Sequence, residues 1–208
     1  MKKKIKPKTK AKGWRVKSER PEDVFSEAKE FYEERESERY AGSRAMRRSQ
    51  RGLTLRALEL ALFPFESAIL DAGCGNGFSM QVLKEVGYSQ VKGIDASPAM
   101  VLQAKARGFD AVEGDLRALP FPKASFDGIV SVSALQWLKA GDVHRAAREF
   151  HRILRAGGRV VAQFYPKSEE EMMLFARAFK EAGFAARVVV DNPRNARKRR
   201  VFLLLDLV

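Results

Sequence analysis

A glycine loop and three acidic residues are the parts of this sequence whose types and spacing could do chemistry. Residues 69–77 read Ile-Leu-Asp-Ala-Gly-Cys-Gly-Asn-Gly, with glycines at alternate positions after a short apolar run. Glycine lets the backbone turn sharply and lets a ligand lie close against it. Asp71 precedes the glycines, Asp95 lies twenty residues after Gly75, and Asp115 follows a later apolar run. The pattern predicts a nucleotide-like ligand held by a loop and by carboxylates.

The glycine spacing alone is weak evidence, because NAD-binding domains use a similar loop. A pyrophosphate favours helix N–H groups with no carboxylate nearby. S-adenosylmethionine (SAM) instead carries a free ammonium group, and the Asp71 carboxylate can stabilise its positive charge through water or backbone contacts. We therefore expect SAM, with Asp95 accepting hydrogen bonds from the ribose hydroxyls and Asp115 near the adenine amino group. The alternative for Asp95 alone is structural, since it could simply cap the helix that begins at Pro98.

The expected SAM contacts lie at the ends of successive strands. Ala96, Met100 and Leu116 can sandwich the adenine ring, whereas Cys74 is expected to pack rather than react, because no partner base is evident. The complete predicted set is Asp71, Gly73, Cys74, Gly75, Gly77, Asp95, Ala96, Ser97, Met100, Gly114, Asp115, Leu116 and Ser131.

Alternating strands and helices must position these residues. Apolar runs predict strands over 67–72, 91–95, 110–113, 126–131 and 159–164, and helices over 78–86, 98–107, 142–155 and 168–182. The last two strands, 187–190 and 201–207, have no helix between them and predict an antiparallel hairpin. The fold class is therefore α/β: a Rossmann-like, doubly wound, mostly parallel seven-stranded sheet with a final antiparallel strand, as in class I methyltransferases.

The chain before the glycine loop divides into two parts. Residues 1–20 hold ten basic residues and one acidic residue, which predicts a disordered basic tail. Residues 22–39 predict a charged helix, and 43–62 a second helix that turns its leucines toward the core. A methyltransferase domain is thus expected over 21–208, with N-terminal helices over 21–63 and the Rossmann-like core over 64–208.

Composition excludes several classes of protein. No stretch of the 208 residues approaches the roughly 18 apolar residues of a membrane span, and the basic start has no apolar run behind it. We expect a cytoplasmic protein without membrane contact. One cysteine and two histidines make neither an intrachain disulfide nor a typical zinc site, so no metal is expected. The 31% charged content, with few Asn and Gln residues, favours an archaeal or other heat-adapted source.

The net charge of +13 points to a polyanionic partner. The turn at 191–200 should lie on the same rim as the glycine loop, because strand six is expected to run parallel to strand five. Five cations of this turn and three of the second helix are predicted to contact RNA phosphates: Arg44, Arg47, Arg48, Arg194, Arg197, Lys198, Arg199 and Arg200. The alternative is an ordinary solvated basic loop.

Longer motifs carry a specific resemblance. They include Arg20-Pro21-Glu22, residues 93–100 (GIDASPAM), residues 131–138 (SVSALQWL) and residues 163–166 (QFYP). Over about residues 20–206 the sequence resembles the small-subunit rRNA (guanine-N7) methyltransferase family of ribosome biogenesis. The resemblance implies SAM as methyl donor, a guanosine in small-subunit rRNA as acceptor, and a small zinc-ribbon activator protein as partner at the edge of strand three. Family members carry basic residues after the last strand, whereas this sequence has its lysines in front.

The acceptor chemistry needs positioning more than proton transfer. Guanine N7 presents a lone pair, so no residue is required as a general base. Trp137 could stack on the guanine, and Gln136 could form a hydrogen bond with the edge of the same base. Tyr165 should face the same crevice. The alternative for Trp137 is packing on the core. Two other functions stay open: a small-molecule methyltransferase acting on a quinone or acyl precursor, and a non-catalytic assembly factor that binds pre-rRNA.

Overall fold

A seven-stranded sheet forms the centre of the computed structural model, which describes residues 20–208. The strands are β1 Ile69–Ala72, β2 Val91–Asp95, β3 Ala111–Glu113, β4 Phe126–Val132, β5 Leu154–Phe164, β6 Phe184–Asp191 and β7 Arg200–Leu207. Their order is β3-β2-β1-β4-β5-β7-β6. Strands β1 to β5 are parallel, and β7 is antiparallel to both β5 and β6. This confirms the predicted class I methyltransferase fold and its final hairpin.

Helices cover both faces of the sheet. They are α1 Pro21–Val24, α2 Ala28–Phe31, α3 Glu34–Gly42, α4 Arg44–Ala61, α5 Phe78–Val86, α6 Pro98–Ala106, α7 Ala140–Ile153 and α8 Glu169–Glu181, with a 3₁₀ turn at Leu135–Trp137. Alternate residues of β5 and β7 enter two separate cores. One core packs α7 and α8, and the other packs α4, α5 and α6.

The N-terminal part differs from the predicted single helix over 22–39. It forms α1, α2 and α3 instead, interrupted near Ser26 and Glu33. The Glu30 carboxylate accepts hydrogen bonds from the backbone N–H groups of Ser26 and Glu27, which starts a new turn rather than continuing the old one. Val24, the last residue of α1, is 61% exposed.

The second predicted helix is confirmed as α4, with Ser43 as its N-cap. Leu62 does not face the core as predicted, because it ends the helix with a φ of 52° and is 75% exposed. Helix α7 ends at Ile153 rather than 155, since β5 begins at Leu154 and bulges before Arg159. Strand β6 is longer than predicted, beginning at Phe184.

The basic tail lies almost entirely outside the described residues, and the predicted division into domains stays a prediction. Within residues 20–208, none of the helices has both the length and the apolar character needed to cross a membrane. The same residues contain no group of three or more His, Cys, Asp or Glu side chains placed to hold a metal ion.

Candidate active site

A cavity of about 970 Å³ lies at the carboxyl ends of β1, β2, β3, β4 and β5. Ligands of doubly wound sheets bind at this edge, because the strands end there in loops that can diverge. Gly73, Cys74 and Gly75 form one wall of the cavity. Asp95, at the end of β2, lies on the next wall and accepts hydrogen bonds from the backbone N–H groups of Gly75 at 2.8 Å and Ser97 at 2.9 Å. The Asp95 carboxylate therefore fixes the glycine loop and the start of α6 together.

Asp71 lies beneath the glycine loop and is completely buried. The Ser79 hydroxyl donates a hydrogen bond to its Oδ2, while Oδ1 has no partner among the described residues. Burial raises the pKa of the Asp71 carboxyl from 3.8 to about 7, because the charged form loses its hydration. A cationic group in the cavity above would favour the ionised form.

We predict that Asp71 makes the stability of the ligand-free protein depend on pH. The folded state keeps a proton on Asp71 between about pH 4 and pH 7 that the unfolded state has lost. The contribution of Asp71 to the free energy of unfolding must therefore fall, by roughly 2–4 kcal/mol, as the pH rises through this window. Urea unfolding across the window measures it, with Asp71→Asn as the non-titrating control. Parallel pH profiles for the two proteins would show that the carboxyl titrates normally.

The β3 side of the cavity is formed by Gly114, Asp115 and Leu116, with Ala96 and Met100 also in the lining. Both carboxylate oxygens of Asp115 accept hydrogen bonds from Arg117 Nε, at 2.9 and 2.8 Å. Burial alone would raise the pKa of Asp115, but the bonds from Arg117 hold it below its usual value. The Arg117 backbone N–H also donates to Oδ1 at 2.8 Å, and Arg117 Nη2 lies 2.6 Å from Oδ2, so Arg117 occupies most of the acceptor capacity of Asp115.

The N-terminal helices close over this cavity. The backbone oxygen of Tyr32 accepts a hydrogen bond from the Ser97 hydroxyl at 2.7 Å. The Arg20 guanidinium donates a hydrogen bond to the backbone oxygen of Tyr165 at 2.6 Å. Tyr32 and Tyr40 line the cavity, and burial raises the pKa of both phenols. The segment is thus tied to the loops after β2 and β5 and forms the roof of the site.

Arg117 links this roof to the β3 side of the cavity. Besides Asp115, its guanidinium contacts the carboxylates of Glu27 and Asp142, each at 3.2 Å. We predict that Arg117→Gln loosens the roof, because Glu27 then loses its only arginine contact among the described residues. Hydrogen exchange of residues 21–42 should quicken while exchange in α8 stays unchanged. The matched control is Arg145→Gln, which removes a largely exposed guanidinium 3.9 Å from the same Asp142. Equal exchange in both variants would contradict the link.

The loops after β4 and β5 form another side of the cavity. Gln136, Trp137 and Tyr165 all line it. The Gln136 side-chain N–H donates to the Ser133 oxygen at 2.7 Å, and its Oε1 is buried without a partner in the described chain. The Trp137 ring contacts the rings of Phe31 and Tyr32, with centroids 6.0 and 5.9 Å apart. Packing, the alternative for Trp137, is therefore present, although the side chain also reaches the cavity.

Four of the residues predicted to bind SAM do not line the cavity: Asp71, Gly77, Ser97 and Ser131. Gly77 precedes α5, and the Ser97 side chain caps α6 by accepting from the Met100 N–H. Ser131 is buried and donates to the Ala72 oxygen at 2.8 Å, so it supports β1 from below. Cys74 packs in the loop as predicted, and burial raises the pKa of its thiol well above the usual range.

The basic turn reaches the cavity as the sheet topology predicts. Arg197 and Arg199 line its mouth, whereas Arg194, Lys198 and Arg200 do not. Arg44, Arg47 and Arg48 are exposed on α4, also outside the lining.

Sequence reasoning missed four kinds of cavity residue. Ser79 became visible only through its bond to Asp71, and Asn76 is a lining residue whose buried amide has no partner in the described chain. Gln50 donates from α4 to the Ser133 hydroxyl at 3.3 Å. Tyr32 and Tyr40 come from the segment whose fold was predicted wrongly. In the sequence, only the glycine-loop position of Asn76 could have signalled its role.

The fold and the cavity define a class I SAM-dependent methyltransferase. A family model described as a methyltransferase domain matches residues 70–162. The chain is 37% identical to the 18S rRNA (guanine(1575)-N(7))-methyltransferase of Saccharomyces cerevisiae over 85% of this chain and 68% of that protein. It is 38% identical to the mouse 18S rRNA (guanine-N(7))-methyltransferase over 84% of this chain and 67% of that protein.

These likenesses show that the chain belongs to the small-subunit rRNA (guanine-N7) methyltransferase family. A solved complex of Haloferax volcanii, between the Trm112 methyltransferase activator and a methyltransferase, has a similar fold. The TM-score is 0.63 at 20% identity, and the match covers 78% of this chain and 94% of that one.

Proposed function

We propose that this protein methylates N7 of a guanosine in small-subunit rRNA, with SAM as the methyl donor. The observation that carries the proposal is the placement of one cavity between the glycine loop and the loop at 133–138, with Arg197 and Arg199 at its mouth. Its membership in the family supplies the acceptor class. The same membership sets aside the non-catalytic alternative.

The residues present fit SAM. We assign the ribose hydroxyls to Asp95, the adenine to Asp115, Ala96, Met100 and Leu116, and the methionine part to the loop above Asp71. The unpartnered Oδ1 of Asp71 supports this placement, because an ammonium group above the loop would compensate a buried carboxylate. Bound SAM supplies an electrophilic methyl group.

The acceptor residues orient a base and exclude water. Guanine N7 attacks through its own lone pair, so the protein need not remove a proton. We assign Trp137 to the base face, a contact worth about 1–3 kcal/mol, and Gln136 to the base edge. Tyr165 closes the far side. Arg197 and Arg199 contact the neighbouring phosphates, with Arg194, Lys198, Arg200 and the α4 arginines Arg44, Arg47 and Arg48 extending the basic surface.

The decisive experiment is mass-spectrometric mapping of N7-methylguanosine in small-subunit rRNA from cells with and without the gene. Loss of one modified guanosine, restored by the wild type but not by Asp95→Ala, is the expected result. Modification at full level in cells without the gene would overturn the proposal.

A small-molecule acceptor is the second candidate, because the N-terminal helices roof the cavity as a lid over a small substrate would. The two functions differ in salt dependence. RNA recognition predicts a steep loss of affinity with added salt, since cations that contact phosphates release bound counterions. A shallow dependence with intact SAM binding would favour the small-molecule enzyme.

We also propose that a small zinc-ribbon activator pairs with the edge of β3. In support, β3 is a three-residue edge strand, and Leu102 on the adjacent α6 is 70% exposed. Copurification with the activator should be lost in Leu102→Asp and kept in Leu62→Asp, which alters an exposed leucine elsewhere. The reverse pattern would place the partner on another surface. A cytoplasmic location stays a prediction.

A further inference from the structure

Three exposed cations alternate with two aromatic rings, the buried Phe78 and the half-buried Phe109, beside the glycine loop. The guanidinium carbon of Arg47 lies 5.3 Å from the centre of the Phe78 ring, and that of Arg107 lies 5.0 Å from the same centre. Arg107 is also 5.2 Å from the centre of the Phe109 ring, and Lys84 Nζ is 5.0 Å from it. We call these five residues the cation–aromatic ladder. Cations at such distances are attracted to the ring faces, so these contacts stabilise the positions of the three cationic side chains.

Within residues 20–208, no carboxylate neutralises the positive charges of the ladder. Arg47, Lys84 and Arg107 form no ion pair with any residue in 20–208. In the described part of the chain, Arg107 donates only to neutral oxygens, those of the Asn76 backbone at 2.6 Å and of the Gln81 side chain. The nearby Glu85 carboxylate is bound by Arg51. Burial lowers the pKa of Arg107, and the positive charge of Arg47 lowers it further, because the two like charges repel each other.

The ladder leads from the surface into the cavity. Phe78 and Asn76 both line the cavity, and the Tyr40 ring stacks on Phe78 with centroids 5.6 Å apart. At the other end, Phe109 packs directly on Gly77 of the glycine loop. Arg44 and Arg48 continue the exposed positive face along α4.

We propose that the ladder binds consecutive phosphates of the RNA strand beside the target guanosine, through Arg47, Lys84 and Arg107. This inference rests on the proposed function and adds to it a second phosphate track, separate in sequence from the turn at 191–200. Guanidinium groups without a carboxylate partner match phosphate oxygens in charge and geometry. A purely structural ladder is the opposing explanation.

The test compares a triple variant, Arg47→Gln with Lys84→Gln and Arg107→Gln, with the wild type in binding a labelled fragment of small-subunit rRNA over a salt series. Each lost phosphate contact should lower the slope of log affinity against log salt by about 0.7, so the slope should fall by about 2. Affinity at low salt should fall about tenfold or more. The matched control removes three exposed cations from α7 and α8, by Arg148→Gln, Arg177→Gln and Lys180→Gln, and should bind RNA with an unchanged slope.

Three results would overturn the inference. One is an unchanged slope in the triple variant, and another is an equal loss in the control. The third is a loss of SAM affinity that accounts for the loss of RNA binding, because Arg107 also bonds the glycine loop. The double variant Arg47→Gln with Lys84→Gln leaves that bond intact and should still lower the slope by about 1.4. If the wild type bound no RNA at all, the proposed function itself would fail instead.

Discussion

Asp95→Ala should raise the Kd for SAM by at least about a hundredfold. The Asp95 carboxylate accepts from the backbone N–H groups of Gly75 and Ser97, and we assign the ribose hydroxyls to its remaining lone pairs. A hydrogen bond to a charged group contributes about 1.5–3 kcal/mol, and every 1.4 kcal/mol changes Kd about tenfold. Loss of two such bonds therefore accounts for the expected effect even before the glycine loop relaxes.

Calorimetric titration with SAM measures this effect, and two variants serve as controls. Asp110→Ala removes an exposed carboxylate that, within residues 20–208, pairs only with Lys92; it lies close to the start of β3, and its loss should leave Kd unchanged. Asp95→Asn keeps one acceptor oxygen and should fall between the wild type and Asp95→Ala. An affinity of Asp95→Ala equal to that of the wild type would disprove the ribose assignment.

The two sequence interpretations of Asp95 turn out to be compatible. Oδ1 accepts from the Ser97 N–H at the start of α6, which is the structural alternative, and Oδ2 holds the glycine loop. A sequence pattern could place Asp95 at the end of a strand, because buried strands and Pro98 are local signals. It could not show how the two oxygens divide their bonds, because the Gly75 N–H comes from a loop twenty residues away.

The sheet was predictable and the roof was not, for physical reasons. Apolar runs such as 126–131 are buried on both faces, so their composition alone identifies them. Segment 21–42 is instead held by distant partners: Tyr32 by Ser97, Glu27 by Arg117 and Arg20 by Tyr165. These tertiary contacts override a helical pattern that looked continuous in sequence. The cation–aromatic ladder joins α4, α5 and the end of α6 in the same way, so only Arg47 was predicted as a phosphate contact.

Gly73→Ala should abolish SAM binding and lower the melting temperature, because this glycine lies where the glycine loop touches the loop at 133–138. Its φ is +83°, a conformation that costs a residue with a side chain roughly 1–2 kcal/mol. A Cβ at this position would lie only 2.2 Å from the Cβ of Ala134, at the start of the loop that carries Gln136 and Trp137. One of the two loops must therefore move, and either movement separates the assigned methyl donor site from the assigned acceptor site.

Adding Ala134→Gly to Gly73→Ala separates the two causes. The double variant removes the collision but keeps the backbone strain, so it should recover part of the stability and a measurable affinity for SAM. Gly52→Ala is the matched control, because its Cβ would meet nothing within 4 Å inside helix α4, and it should stabilise the protein by roughly 0.5–1 kcal/mol. Thermal unfolding and SAM calorimetry on all four proteins provide the measurement. If Ala134→Gly recovered nothing, backbone strain at Gly73, and not the contact between the two loops, would account for the loss.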